Sequence, residues 1–234
     1  MADRKTTSQL RGAYILMRAQ FGHLHWWPAQ TPFEVCVGAI LTQNTAWSNV
    51  ERAIDNLNTA QVLEPRRLFA LTEKQLARLI KPTGYFNVKA QRLRSFLRVL
   101  VEEYGGDLKR LFAGNTTEVR KRLLAVHGIG PETADSMLLY AGGHRSFVID
   151  TYTKRILRRH NWCDENASYD ELKQLCESAL DHKPAVEQLD YWQDYHAQLV
   201  AVGNRFCRPR QPSCELCPLR PLLPHGKKSK IEPT

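Results

Sequence analysis

Apolar positions along this 234-residue chain recur every three or four residues rather than every second one. Phe33, Val37, Ile40 and Leu41 share one helical face. So do Leu93, Phe96, Leu97 and Leu100, and later Leu172, Leu175, Cys176 and Ala179. Strict alternation is scarce, so the pattern predicts an all-α protein of roughly ten helices with short loops. Thr31 stands before Pro32 and Glu34, a candidate cap followed by a proline and an acid suited to a first helical turn. The span Asp164–His196 reads as helical and amphipathic, with no residue singled out for chemistry. No internal repeat appears, and only the tail from His225 to Thr234 is of low complexity and expected to be loose.

Between Leu123 and Arg159 the pattern breaks in two informative places. His127-Gly128-Ile129-Gly130 forms a glycine turn before Pro131. The glycines can adopt positive φ or admit another backbone closely, and proline suits the first helical position because it lacks an N–H. Free amides at such a helix start can hold an anion. Leu123, Leu124 and Val126 before the turn, and Ala134, Met137 and Leu138 after it, give two helices a face to share. By itself the turn reads equally as an ordinary helix–turn–helix corner. The second place is Asp150, before T-Y-T-K-R-I-L, where aspartate is a favoured N-cap.

Three further segments carry candidate chemistry. In HWWPAQTPFE, Pro28 and Pro32 keep residues 25–34 extended, and Trp26 and Trp27 cannot easily face one core together. One of them can line a cavity, or both can plug helix ends. A polar turn, Thr42-Gln43-Asn44-Thr45, follows an apolar helix ending near Leu41, with Asn44 or Thr45 as candidate caps. In KPTGYFNVKAQRLR, Gly84 marks a turn, and Lys89, Arg92 and Arg94 read as a solvated basic face as readily as a binding one.

Composition narrows the partner. The formal charge of +9 and an isoelectric point near 9.4 suit a polyanion. No apolar run approaches the ~18 residues of a membrane helix, and MADRKTTSQL has no apolar core of a signal peptide. Six cysteines then suggest thiols or metal ligands rather than disulfides. A monomer working in the cytoplasm at the nucleoid is expected.

Together these motifs resemble the endonuclease III superfamily of helix-hairpin-helix DNA glycosylases, over about residues 24–223. The resemblance implies two helical domains. Residues 24–142 would form a six-helix barrel containing the hairpin. Residues 1–23 and 143–223 would form the second domain, with a cysteine loop at 207–217 and a flexible tail at 224–234. The family's substrate is double-stranded DNA containing damaged bases. In the family, hairpin amides corresponding to His127, Gly128, Ile129 and Gly130 hold a DNA phosphate. A carboxylate matching Asp150 does the chemistry, and a glutamine matching Gln43, beside Asn44, enters the gap left by a flipped base. Bifunctional members carry a nucleophilic lysine two residues after the last hairpin glycine. Here that position is Glu132, which cannot form an imine, so the resemblance implies a monofunctional enzyme.

A narrower likeness is to the 3-methyladenine DNA glycosylase III branch, where residues matching Trp26, Trp27, Pro28 and Trp47 form the base pocket. An N-alkylated purine carries positive charge, which aromatic faces attract. Two departures stand against this likeness. Gln198 occupies the position of the branch's pocket lysine, and this chain keeps part of a cysteine tail that the branch lacks. Cys207, Cys214 and Cys217 form C-x6-C-x2-C with the spacing of the superfamily's iron–sulfur loop, but Leu223 stands where the fourth cysteine belongs. A cluster completed by His225 or an outside ligand, a three-iron cluster, and three idle thiols all stay open. Two other readings compete with the monofunctional one. The first is a bifunctional glycosylase/lyase on oxidised pyrimidines, using Lys121 or Lys154. The second is a non-catalytic binder of damaged DNA.

Overall fold

The structure, a computed structural model, describes residues 3–224. His225 and the rest of the expected tail, 225–234, lie outside the described residues. Within them are twelve α-helices and no strand. The two more than the sequence predicts are among the shortest, such as Pro65–Ala70 and Leu108–Leu111, which span too few residues to show an apolar period. The chain divides into two compact units. One comprises residues up to Trp27 and from Phe147 onward; the other is Pro28–Ser146.

The Pro28–Ser146 unit is built on two helices with little polar surface, α2 (Pro32–Leu41) and α9 (Pro131–Tyr140), which pack on each other. Every residue of α2 beyond Glu34 is buried, as is every residue of α9 from Thr133 to Leu139. A helix buried on nearly every side belongs at a core's centre. Thr31 caps α2 through the Glu34 amide at 3.1 Å, with Pro32 in the first turn. The remaining helices are α3 (Trp47–Thr59), α4 (Pro65–Ala70), α5 (Glu73–Leu79), α6 (Phe86–Arg98), α7 (Leu108–Leu111) and α8 (Thr116–Leu124). Neither Asn44 nor Thr45 caps α3. Its N-cap is Ala46, without a side-chain bond, while Asn44 takes a left-handed conformation (φ 54°) that asparagine tolerates.

The basic segment on α6 is not a solvated face. Lys89 is 2% exposed and donates to the carbonyls of Leu41 (2.9 Å) and Thr83 (2.8 Å), tying the end of α2 to the turn before α6. Burial lowers its pKa to about 8. Arg94 donates to the carbonyls of Phe69 and Leu71 at the C-terminal end of α4. Charge here closes helix ends, because C-terminal carbonyls need donors. The buried Asp135 of α9 is likewise met, by the Arg120 guanidinium (2.9 and 3.2 Å) and the Ser146 hydroxyl (2.6 Å).

The other unit contains α1 (Arg4–Phe21), α10 (Thr151–Arg159), α11 (Tyr169–Leu180) and α12 (Ala185–Arg205). The span Asp164–His196 is therefore two helices. Pro184 separates them, since a proline disfavours helical backbone in the residue before it. Central α12 packs on α10 and α1. Its buried polar groups bind α1 and the segment just beyond it. The Asp194 carboxylate accepts from the Tyr14 hydroxyl (2.7 Å) and the Leu24 amide (2.9 Å), and Gln198 donates to the Gly22 carbonyl at 2.6 Å.

Candidate active site

In the Pro28–Ser146 unit, α8 and α9 are joined by the glycine turn, and its two glycines do different work. Gly128 has φ +86°, and a Cβ there would lie 2.2 Å from the Arg92 side chain. Both the backbone and the close approach require glycine. Gly130, the N-cap of α9, has an ordinary φ of −91°, so positive φ is not what it supplies. Nothing lies within 4 Å of where its Cβ would be, and no side chain caps α9. Ile129 is buried beneath the turn and His127 is exposed.

Gln43 is fastened to this turn. Its amide nitrogen donates to the Gly128 carbonyl (3.2 Å) and the Thr133 hydroxyl (3.0 Å), and its oxygen accepts from Arg92 at 2.5 Å. Residues 43, 92, 128 and 133 thus form one polar cluster. Arg92 is legible in the sequence only as part of a basic run, because nothing local announces a partner 49 residues away. Glu132 is exposed in the first turn of α9, where its charge suits the helix dipole. Trp47 opens α3, half-buried, its indole N–H on Glu51 at 3.0 Å. Lys121 lies exposed on α8.

In the other unit, the buried run Phe147-Val148-Ile149 leads straight into Asp150, the N-cap of α10. Asp150 is 8% exposed. One carboxylate oxygen accepts from the Thr153 amide at 2.7 Å, and the other lies 3.6 Å from Nε2 of His196. Burial pushes its pKa up, but the His196 imidazole and the Thr153 amide outweigh that and hold it below the ordinary carboxylate value. Sequence reasoning misses His196, which falls within a span that reads as merely amphipathic. The signal is faint: His196 and Gly203 are seven residues apart, on one face of α12. A Cβ on Gly203 would meet Tyr152 of α10 at 2.4 Å. That glycine lets the helices close and brings the imidazole to Asp150. Trp26 and Trp27 are half-buried, with ring centroids 5.8 Å apart. Pro28 is exposed. Gln198 is buried on the Gly22 carbonyl, and Lys154 sits 5.5 Å over the Tyr169 ring.

At its far end α10 holds the cysteine loop. Arg155 donates to the Cys207 carbonyl (2.6 Å), and Arg159 to the carbonyls of Arg208 and Pro209 (2.8 Å each). All six cysteines of the chain are free thiols. Burial raises the Cys214 thiol and pushes Cys217 up to about 11. It also lowers the pKa of His160 to about 4. Among the described residues, no three His, Cys, Asp or Glu side chains converge on a single metal ion.

A buried, ionised carboxylate caps α10 in one unit, and a glycine hairpin opens α9 in the other. Residues 37–182 match the HhH-GPD superfamily of base excision DNA repair proteins. The chain belongs to that family and is a DNA glycosylase. It is 42% identical over 208 residues, 88% of its length, to a Methanocaldococcus jannaschii protein provisionally named a DNA repair glycosylase, and spans 92% of it. The fold is similar to that of endonuclease III in a trapped covalent DNA complex (TM-score 0.79, 22% identity, 95% of this chain and 97% of that one). It is similar also to H. pylori 3-methyladenine DNA glycosylase bound to 1,N6-ethenoadenine (TM-score 0.70, 25% identity, 83% and 95%).

Proposed function

We propose that this glycosylase is monofunctional and removes alkylated purines such as 3-methyladenine from double-stranded DNA, leaving an abasic site. The observation that carries the hydrolytic reading is Asp150, an ionised carboxylate buried at the mouth of α10 beside His196. As the bond to the base breaks, the sugar gains oxocarbenium character, and a fixed anion stabilises that charge without having to reorganise. The same carboxylate orients the water that attacks the sugar. His196 acts by positioning Asp150 and keeping it ionised.

Other residues serve recognition. The amides around Gly128 and Gly130 take a backbone phosphate at the uncapped start of α9. Gln43 fills the place of the flipped nucleotide, which requires exchanging its bonds to Gly128 and Thr133 for bonds to the orphaned base. Trp26, Trp27 and Trp47, with Pro28, stack on the extruded base, and a cationic alkylpurine gains most from such faces. It is also a good leaving group, which asks little of an acid catalyst. Glu132 in the lysine position supports hydrolysis over imine chemistry. The loop of Cys207, Cys214 and Cys217 binds an iron–sulfur cluster: its three thiols line one cavity and Arg159 donates to the Cys207 sulfur. We assign the enzyme's work to the nucleoid, as a monomer.

The test is a panel of single-lesion duplexes with detection of the freed base and borohydride trapping. Free 3-methyladenine with no trapped adduct is expected. Release of oxidised pyrimidines with an adduct would overturn the reading in favour of a bifunctional lyase, and DNA binding without release of any base would overturn it altogether. Trp47→Ala sharpens the substrate assignment. Loss of a stacking face should weaken base binding by about 1–3 kcal/mol while the melting temperature stays near that of the parent. A large fall in melting temperature with normal excision would make the tryptophan structural.

A further inference from the structure

In the unit that contains α10 and α12, a cavity lies between the last turn of α10 and the loop after α12. Cys207, Cys214 and Cys217 line it, and so do Arg159, His160 and Leu223. We propose that His160 is the fourth protein ligand of the iron–sulfur cluster held by these three cysteines. The proposal rests on the proposed binding of a cluster by this loop.

Position is the first support. The spacing of the loop puts a fourth ligand at residue 223, and that residue is leucine. His160 lines the same cavity as Leu223, and its Nδ1 lies 3.3 Å from the carbonyl oxygen of the neighbouring Leu222. The imidazole therefore stands beside the position that lacks a thiol, reaching it from α10 rather than from the loop.

Chemistry is the second. A carbonyl can only accept, so Nδ1 carries the hydrogen and Nε2 keeps its lone pair. Imidazoles that bind metals are anchored in this way through their other nitrogen. The ring is 6% exposed and stacked on Trp162, with centroids 4.4 Å apart and planes 25° apart, so its orientation is set before any metal arrives. Imidazole replaces thiolate on iron in some two-iron clusters. Arg159, whose guanidinium lies 3.3 Å from the Cys207 sulfur, offsets the negative charge of the thiolates. All four candidate donors line the same cavity.

The full chain should be purified anaerobically and reconstituted with iron and sulfide. Iron and labile sulfide are then counted, and pulsed electron paramagnetic resonance of the reduced protein is recorded with and without 15N-histidine. The expected result is about four irons per chain and a nitrogen coupling that changes with the isotope. His160→Cys should keep the iron and lose the coupling. His160→Ala, confirmed folded by its circular dichroism melt, should lose the coupling and at least one iron. His225→Ala should change neither. Wild-type protein without iron would overturn the cluster reading itself. A cluster with no histidine coupling, or with coupling that survives in His160→Cys or vanishes in His225→Ala, would overturn the role of His160 alone.

Discussion

Helices α9 and α10 begin some twenty residues apart in sequence, and their first turns are finished in opposite ways. The N-cap of α9 is Gly130, with no side-chain bond and open space where a side chain would be. The N-cap of α10 is Asp150, whose own carboxylate takes the Thr153 amide in a buried setting. Every helix start presents unpaired amides and a partial positive charge. A glycine cap leaves them for an anion from outside, whereas an aspartate cap brings its own anion and is kept ionised in return. In the proposed function one helix start binds a phosphate while the other holds the catalytic charge, with a single side chain making the difference.

The comparison breaks most severely at Asp150. Asparagine also caps helices, so Asp150→Asn should melt near the wild-type temperature and still bind damaged DNA. Its single-turnover base release should fall by about 100-fold or more, as for other preorganised electrostatic groups. Retention of more than a few per cent of the wild-type rate would remove Asp150 from the mechanism. Next in size is Gly130→Asp, which finishes α9 as α10 is finished. Its φ of −91° and open surroundings admit the side chain, so the fold should gain a few tenths of a kcal/mol at most. DNA affinity should drop about tenfold across all sequences, with the loss shrinking at high salt. Unchanged affinity would mean the α9 amides do not meet a phosphate.

His196→Asn probes how the buried charge is kept. In the wild type the folded pKa of Asp150 is lowered. Its contribution to stability is therefore present above the ordinary carboxylate value and lost as pH falls through the lowered one. Without the imidazole, burial acts against a weaker opposing pull, the pKa rises, and the acid limb of the rate–pH profile should move to higher pH. An acid limb that stays in place would leave His196 without a positioning role. The smallest effect expected is in Glu132→Lys, where an amine returns to the first turn of α9. A trace of borohydride-trapped adduct should appear; if none forms, an amine at that position is not sufficient for lyase chemistry.

Much of the architecture is visible in the chain itself. The all-α class follows from the spacing of residues such as Leu93, Phe96, Leu97 and Leu100, since helical period is a local property. The caps at Thr31 and Asp150, the turn at Gly128 and the unequal cysteine loop are also local, set by side chains within a few residues of the backbone they serve. Residues whose partners lie far along the chain are the ones that local patterns misplace or miss. Lys89 resembles surface charge until Leu41 and Thr83 close around it. Gln43 and Arg92 are 49 residues apart, and nothing near either one marks the pair.

The sequence alone determined the helical class, the helix starts at Thr31 and Asp150, and that residue 132 holds no amine and residue 223 no thiol, because those are matters of local backbone preference and side-chain identity. Only the tertiary structure decided which buried polar groups face each other. His196 meets Asp150 because Gly203 lets α12 close on α10, and His160 lines one cavity with the three cysteines of a loop that Arg155 and Arg159 hold against the end of α10. Such pairings depend on how helices pack, and packing is set by the summed burial of many side chains rather than by any one of them.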